Sequence, residues 1–253
     1  MTASTEPFAC VPLIIRRVVN RLGRPFGINP FPRAFNYALE DASRAKAFDS
    51  IYQDNAWGSK ESRSGVGSEL AATEPYRQGL VALIAQRQFT SMFDAPCGDL
   101  RWMPQVIAAS GIHYQGGDIS ASVVAQVNQQ HPAVSVRVFD ISRDAFPKVD
   151  VWHCRDCLFH LPFSDIKAAL NNFVRSEIPY ALLTTHKAWL MHRNLDLQGV
   201  GFRFVDLERA PIALPKPLAY VEDYKRGVEF PRYVGLWSRA MIREALAAHG
   251  WLE

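Results

Sequence analysis

Residues 93–103 read Phe-Asp-Ala-Pro-Cys-Gly-Asp-Leu-Arg-Trp-Met, and the rest of the chain can be interpreted outward from them. They continue an apolar run, Ser91–Asp94, that reads as a short buried strand. They then turn at Pro96-Cys97-Gly98 into a segment, Arg101–Ala109, with helical spacing. A strand that ends in a glycine-bearing turn and gives way to a helix is the opening unit of a parallel sheet with covering helices. In such open sheets, ligands bind at the carboxyl ends of the strands. The turn is not GxGxxG. Pro96 and Cys97 stand where the pyrophosphate of a dinucleotide requires further glycines, which disfavours a nicotinamide or flavin site.

On the C-terminal side the rhythm persists. Strands are expected at His113–Gly117, Ser135–Phe139, Val149–His153 and Tyr180–Thr185, and helices near Ala121–Gln130 and Asp165–Ser176. The expected fold class is α/β, a Rossmann-like sheet with helices on both faces. Beyond Asn194, Phe202–Leu207, Ala219–Glu222 and Tyr233–Leu236 are all strand-like, with the proline-rich APIALPKP (210–217) between the first two. A helix over Ser238–Ala248 closes the chain.

On the N-terminal side, Glu69–Gln88 and Asn36–Tyr52 read as helices that cap the sheet, joined by the polar loop WGSKESRSGVGS (57–68). The first 35 residues form a separate segment: an apolar-basic run, Val11–Leu22, and then a Pro/Gly linker. Three units follow, 1–35, 36–89 and 90–253. The run LIIRRVVNRL (13–22) has the make-up of a basic amphipathic helix. Covering the core is the favoured expectation and peripheral contact with an anionic membrane the lesser one.

Composition narrows the classes of function. With 253 residues, 48% hydrophobic and 21% charged, the chain buries a large core, which excludes disorder, coiled coil and collagen. A net charge of +3 is too small a bias to argue a nucleic-acid partner. The four cysteines are too few for a disulfide framework in a chain of this length, so a cytoplasmic location is expected. Phe8–Ile15 is interrupted by Pro12 and runs into Arg16 and Arg17, the reverse of a secretory signal. No apolar stretch approaches the roughly 18–20 residues of a membrane span. Cys154 and Cys157 form CxxC without a second ligand pair, and no metal site is expected.

Three acids fall at three successive strand ends. Asp118 lies about 20 residues beyond the first turn, where a carboxylate accepts hydrogen bonds from both hydroxyls of a ribose. Asp140, at the same edge, is placed to accept from the amino group of an adenine. The plainer alternative is that Asp94, Asp118 and Asp140 cap the helices that follow.

DAPCGDLRWM, GGDIS, FDIS and CRDCLFHL together resemble class I S-adenosylmethionine-dependent methyltransferases. More narrowly they resemble a bacterial subgroup marked by WGSxESxSGxGS, DAPCGDxxWM, CRDCLxHL, a threonine-rich fifth strand (here LLTTH, 182–186) and NxD (here Asn194–Asp196). The likeness runs from Trp57 to the C-terminus and includes GLW at 235–237. It implies S-adenosylmethionine as cofactor. Asp94, Ala95, Cys97 and Gly98 would hold the amino-acid end, Asp118 and Ile119 the ribose, and Asp140 and Ile141 the adenine. Arg155, Trp57 and Ser59 would be further cofactor contacts, the last two on a lid. Subgroup members are often associated with surface-polysaccharide loci, which points to a small-molecule or glycan acceptor.

The catalytic expectation falls on HCRDCLFHL (153–161). Methyl transfer from a sulfonium needs the acceptor positioned and its proton removed, which a neutral histidine or a carboxylate can do near pH 7. His160 is the expected base, Asp156 its orienter or substitute, and His186 a further candidate. The alternative for His160 is a helix-start histidine satisfied by a backbone carbonyl. Lys187, Arg193, Asn194 and Asp196 belong to one loop expected to meet the acceptor, and its basic groups Lys187, Arg193 and Arg203, together with Arg155, suit a phosphate or carboxylate. A solvated charged loop is the competing reading. Trp102 is expected in the core. The leading function is methylation of an oxygen on a small polar acceptor such as a sugar or phosphorylated sugar. Nucleic-acid or protein methylation, and a non-catalytic cofactor-binding protein, are the alternatives.

Overall fold

Alternation along each strand sorts the core into two layers. Met92, Val151, Leu182, Val234 and Leu236 face one side of the sheet, and Phe93, Trp152, Ala181, Leu183 and Trp237 face the other. Both sides are apolar, so each must be covered by helices. A computed structural model of the protein describes residues 11–31, 34–36, 43–188 and 192–253. In it β1 (Ser91–Asp94), β2 (His113–Asp118), β3 (Ser135–Val138), β4 (Val151–Cys154) and β5 (Tyr180–His186) run parallel. β7 (Arg232–Ser238) is antiparallel to β5, and β6 (Ala219–Glu222) is antiparallel to β7. The order across the seven-stranded sheet is β3-β2-β1-β4-β5-β7-β6.

Of the helices, α1 (Leu13–Gly23) precedes the sheet domain and α2 (Arg44–Gln53) caps it. α3 (Leu70–Arg87), α4 (Met103–Ser110) and α5 (Ala121–Gln130) cover the Met92 face, and α6 (Phe163–Arg175) and α7 (Arg239–Ala248) the Phe93 face. The boundaries have local causes. α4 begins two residues later than its periodicity predicts, with Pro104 in its first turn, where a missing N–H removes no helical bond. α6 begins at once after Pro162, and the Asp196 carboxylate accepts from the Phe163 N–H at 2.7 Å. α2 is shorter than the expected Asn36–Tyr52: Asn36 belongs to a two-residue strand, and 37–42 lie outside the described residues.

Of the three strand candidates beyond Asn194, Phe202–Leu207 drops out. Gly201–Phe202 pairs with Phe35–Asn36 in a small separate sheet, and the chain from 203 to 207 forms no ladder. Its buried alternation is real, since Arg203, Val205 and Leu207 all point inward. Its backbone is instead satisfied by isolated bonds to the end of β5: the His186 N–H donates to the Val205 carbonyl at 2.8 Å, and the Leu207 N–H donates to Thr185 Oγ1 at 2.9 Å. Among the described residues no helix is long and apolar enough to cross a membrane.

The two glycines of β2 are required by close approach. A Cβ on Gly117 would lie 2.7 Å from Phe139 Cβ and 2.9 Å from the Phe93 ring. We expect Gly117→Ala to lower the unfolding free energy by about 1–3 kcal/mol, as overpacking does, measured by urea denaturation.

Candidate functional site

The carboxyl ends of β1, β2 and β4 open onto a cavity of about 340 Å³ roofed by the 57–68 loop and α2. The β1 turn sets its floor. Gly98 has φ +57°, and a side chain there would collide with Ser64 Oγ, so this position needs glycine for both conformation and space. The Gly98 N–H donates to Asp118 Oδ2 at 3.0 Å and the Ser120 N–H to Asp118 Oδ1 at 2.9 Å. Burial nevertheless dominates, and the Asp118 carboxyl is pushed up to about 6. Cys97, Ile119, Ile141 and Trp57 share this cavity, and burial pushes the Cys97 thiol up.

Asp140 also lines the cavity, but its carboxylate is engaged by Arg44 Nη2 at 2.8 Å and by the Ser142 hydroxyl at 2.7 Å. Asp94 is engaged too. Parallel pairing of β1 with β4 sets Asp94 opposite His153, and His153 Nδ1 lies 2.5 Å from Asp94 Oδ1. Tyr114 donates its hydroxyl to Asp94 Oδ2 at 2.8 Å, and the Tyr76 hydroxyl meets His153 Nε2 at 2.7 Å. A carboxylate accepts only, so Nδ1 carries a proton toward Asp94, while Nε2 is paired with the Tyr76 hydroxyl. Sequence reasoning treated His153 only as a strand residue. The signal that could have found it was its register opposite Asp94 in a parallel pair.

The end of β4 builds the opposite wall. Arg155, 6% exposed, donates through Nε and Nη2 to Asp223 at 2.8 and 2.9 Å, and through Nη2 to the Gly67 carbonyl at 2.9 Å. Its guanidinium lies 5.2 Å from the Tyr76 ring centroid and 5.3 Å from that of Trp102, which is buried yet also reaches the cavity. Asp156 sits between Arg155 and Arg232, at 3.3 and 3.2 Å. Burial opposes its ionisation, but the two guanidinium groups outweigh that and hold its carboxyl below the usual range. It has φ +52°, a conformation held by its N–H donating to Thr184 Oγ1 at 2.8 Å. His160 lines the same wall. Its Nδ1 is 2.6 Å from the Gly201 carbonyl, and burial pushes it down to about 4, so it is neutral at pH 7 with Nδ1 as donor. The backbone partner weighed as the alternative is therefore present, and it leaves Nε2 as the accepting nitrogen.

The remaining expected positions lie outside the cavity lining. Ala95 is fully buried behind the turn and does not line the cavity. Ser59 is buried inside its own loop, donating to Glu69 at 2.8 Å and accepting from the N–H groups of Glu61 and Ser62. His186 sits outside the cavity among Phe159, Phe204 and Phe230, pushed down to about 3 first by burial and then by Arg232. Lys187 is ion-paired with Glu208 and covers the Tyr220 ring. Asn194 staples its loop, donating to the Asp206 carbonyl at 2.8 Å and accepting from the Asp206 N–H at 2.9 Å. Asp196 caps α6, Arg193 is exposed away from the cavity, and Arg203 is buried against Phe163, donating to the carbonyls of Leu195 and Leu158.

Asp99, which the sequence reading did not single out, ties the roof to the floor. Its carboxylate accepts from Ser62 Oγ at 2.9 Å, the Arg63 N–H at 2.7 Å and Ser64 Oγ at 3.1 Å. Among the described residues no cluster of three or more His, Cys, Asp or Glu is arranged to hold a metal ion.

No protein-family model matches the chain, and no curated protein sequence matches it significantly. Solved structures do. The 1,6-didemethyltoxoflavin-N1-methyltransferase of Burkholderia thailandensis, with 1,6-didemethyltoxoflavin and S-adenosylhomocysteine bound, is similar with a TM-score of 0.58 and 16% identity, over 82% of this chain and 94% of that one. Magnesium protoporphyrin IX methyltransferase from Synechocystis PCC 6803, with S-adenosylhomocysteine bound, gives 0.55 and 14% over 77% and 97%. At these identities the likeness defines the fold, that of the Rossmann-like class I methyltransferases.

Replacing Asp99 with alanine removes the acceptor of three donors from the 57–68 loop. Hydrogen bonds to a charged group contribute about 1.5–3 kcal/mol each, so we expect amide exchange at residues 61–65 to quicken by about tenfold or more, read by mass spectrometry against the unaltered chain.

Proposed function

We propose that the protein is an S-adenosylmethionine-dependent methyltransferase acting on a hydroxyl oxygen of a small polar acceptor, with a sugar or glycan intermediate in the cytoplasm as the favoured class. The observation that carries this reading is Asp118, a buried carboxylate on the cavity floor, ionisable close to neutrality and set one strand over from a glycine turn. A nucleoside ribose offers the two hydroxyl donors that would offset its desolvation. The donor set suits the rest of the cofactor as well. Five aspartates and three arginines line the cavity, an excess of acid suited to a molecule carrying a sulfonium and an ammonium.

In this reading Gly98 and Cys97 border the amino-acid end, Asp118 and Ile119 the ribose, and Asp140 with Ile141 the adenine. Asp94 acts through its fixed pair with His153, holding the turn rather than the ligand. When bound, the cofactor supplies an electrophilic methyl carbon whose bond to sulfur breaks, the electron pair staying on sulfur, as the bond to the acceptor oxygen forms. The chain's part is to hold the acceptor against Trp57, Phe159 and Phe202, exclude water and take the hydroxyl proton. His160, neutral and oriented by Nδ1 donating to the Gly201 carbonyl, presents Nε2 as the base, and the negative charge of Asp156 favours the imidazolium that forms. A weak base suffices because the proton leaves only as the new bond forms. Arg44, Arg155 and Arg232 each face a carboxylate within 3.4 Å. A neutral hydroxyl acceptor therefore suits this wall better than a phosphorylated one.

Titration calorimetry with S-adenosylhomocysteine tests the reading. We expect binding to the unaltered chain and a loss of at least about 100-fold in Asp118→Ala, the lower end of what two hydrogen bonds to a charge contribute; a folded chain that gives no heat and no thermal shift would sink it. The pH dependence has a fixed sign. If the ribose requires ionised Asp118, affinity is full above the folded pKa of about 6 and falls roughly tenfold per unit below it. Once an acceptor is found by screening neutral sugars, His160→Ala is expected to lower kcat by about 100-fold while leaving S-adenosylhomocysteine affinity unchanged.

A further inference from the structure

Helix α1 presents an apolar face that the described residues leave uncovered. Ile14 is 71% exposed, Leu22 70% and Phe26, in the turn that follows, 77%, with Ile15, Val18 and Val19 exposed between them. At 100° per residue the five helical positions fall within an arc of about 140°. Arg17 and Arg21 lie to one side of that arc, and Arg24 follows at its end; all three are exposed. The expectation that this helix covers the core is therefore not met. A monomeric chain rarely displays so continuous an apolar strip, and its presence marks a surface that something else covers.

Charge decides what covers it. Between Glu6 and Glu40 the sequence contains no acidic residue, while Arg16, Arg17, Arg21, Arg24 and Arg33 are all basic. A second copy of α1 seated on this face would bring two arginine rows together with no carboxylate in the segment to separate them. An anionic lipid surface instead meets the arginines with phosphate and accepts the isoleucines, valines and leucine at the headgroup boundary, which is the balance of an interfacial helix.

The helix is anchored beside the cavity. At Gly27, φ +69°, a side chain would lie 2.7 Å from the Lys187 carbonyl, and Pro231 is close by. The Arg24 guanidinium lies 5.6 Å from the Phe204 ring centroid, and Asn20 holds the Phe31 backbone by accepting from its N–H at 3.2 Å and donating to its carbonyl at 2.6 Å. Lys187 follows β5 and Pro231 precedes β7, so the hinge sits at the same edge of the sheet onto which the cavity opens. We infer that the 14–26 face is a docking surface for an anionic bilayer, and that docking places the cavity edge of the sheet on the membrane side.

The test is co-sedimentation of the full chain with extruded vesicles of phosphatidylcholine, alone or mixed with phosphatidylglycerol, without cofactor, so that its outcome is independent of the methyltransferase reading. We expect binding at least about tenfold stronger to the anionic vesicles, suppressed by salt. Neutralising an arginine should weaken it by about fivefold in each of Arg17→Gln and Arg21→Gln. Ile14→Glu with Leu22→Glu should abolish it while the thermal melt, which exposed positions barely influence, stays in place. Absence of binding to anionic vesicles, equal binding to both vesicle types, or a concentration-dependent dimer that the double variant dissolves would each overturn the inference.

Discussion

The buried guanidinium of Arg155 is the constraint around which the cavity end of the fold is arranged. Stripping water from a cation costs several kcal/mol unless every donor finds an acceptor and the charge finds its opposite. Here Nε and Nη2 find acceptors in Asp223 from beyond β6 and the Gly67 carbonyl from the roof loop, the charge is further met by Asp156 at the next position, and the faces of Tyr76 and Trp102 come from α3 and the start of α4. Each partner fixes an element that would otherwise end in a free loop. Arg155 thereby becomes a wall of the cavity rather than a spare cation for a ligand's carboxylate, although it stands where the family resemblance places a cofactor contact.

The three acids at successive strand ends do different things because their surroundings differ. Asp140 is neutralised by Arg44 of the cap, which also faces Asp165 at 3.4 Å, so α2 is pinned to the third strand's end by charge. Asp94 is held within the β1–β4 pair by His153 and Tyr114. Among the described residues Asp118 has two backbone donors and no paired cation, and its raised pKa records that incomplete compensation for its burial. Of the three, it alone among the described residues has no side-chain hydrogen-bond partner.

What the sequence displayed, it displayed through local periodicity. The five parallel strands and α3, α5 and α7 could be read because each carries its alternation or stripe within its own span, and the turn at Gly98 because one residue must be glycine. The segment 203–207 misled for the same reason: Arg203, Val205 and Leu207 alternate as a strand does, yet strand formation also needs a neighbour with free backbone groups, which no local pattern reveals. The site was legible to the extent that its residues sit at strand ends. Lys187, Asn194 and Asp196 read as binding groups because residues that pair, staple and cap use the same polar types as ligand contacts. Asp223 and Asp99 were invisible, their partners lying 68 and 35–37 residues away in the chain.

The floor and the roof of the cavity meet at a single turn, and this links two halves of the site that are far apart in sequence. Gly98 directs its N–H to Asp118, while the adjoining Asp99 holds Ser62, Arg63 and Ser64 of the roof. The same loop carries Trp57, whose ring lies 5.7 Å from that of His160, and at Gly65 a side chain would collide with Trp57 Cβ. A ligand that draws on Asp118 therefore acts on the turn whose next residue sets the roof, and the roof sets the aromatic face beside the proposed base. Occupation of the floor and the shape of the acceptor wall are in this way properties of one connected set of hydrogen bonds, with Asp99 as the joint between them.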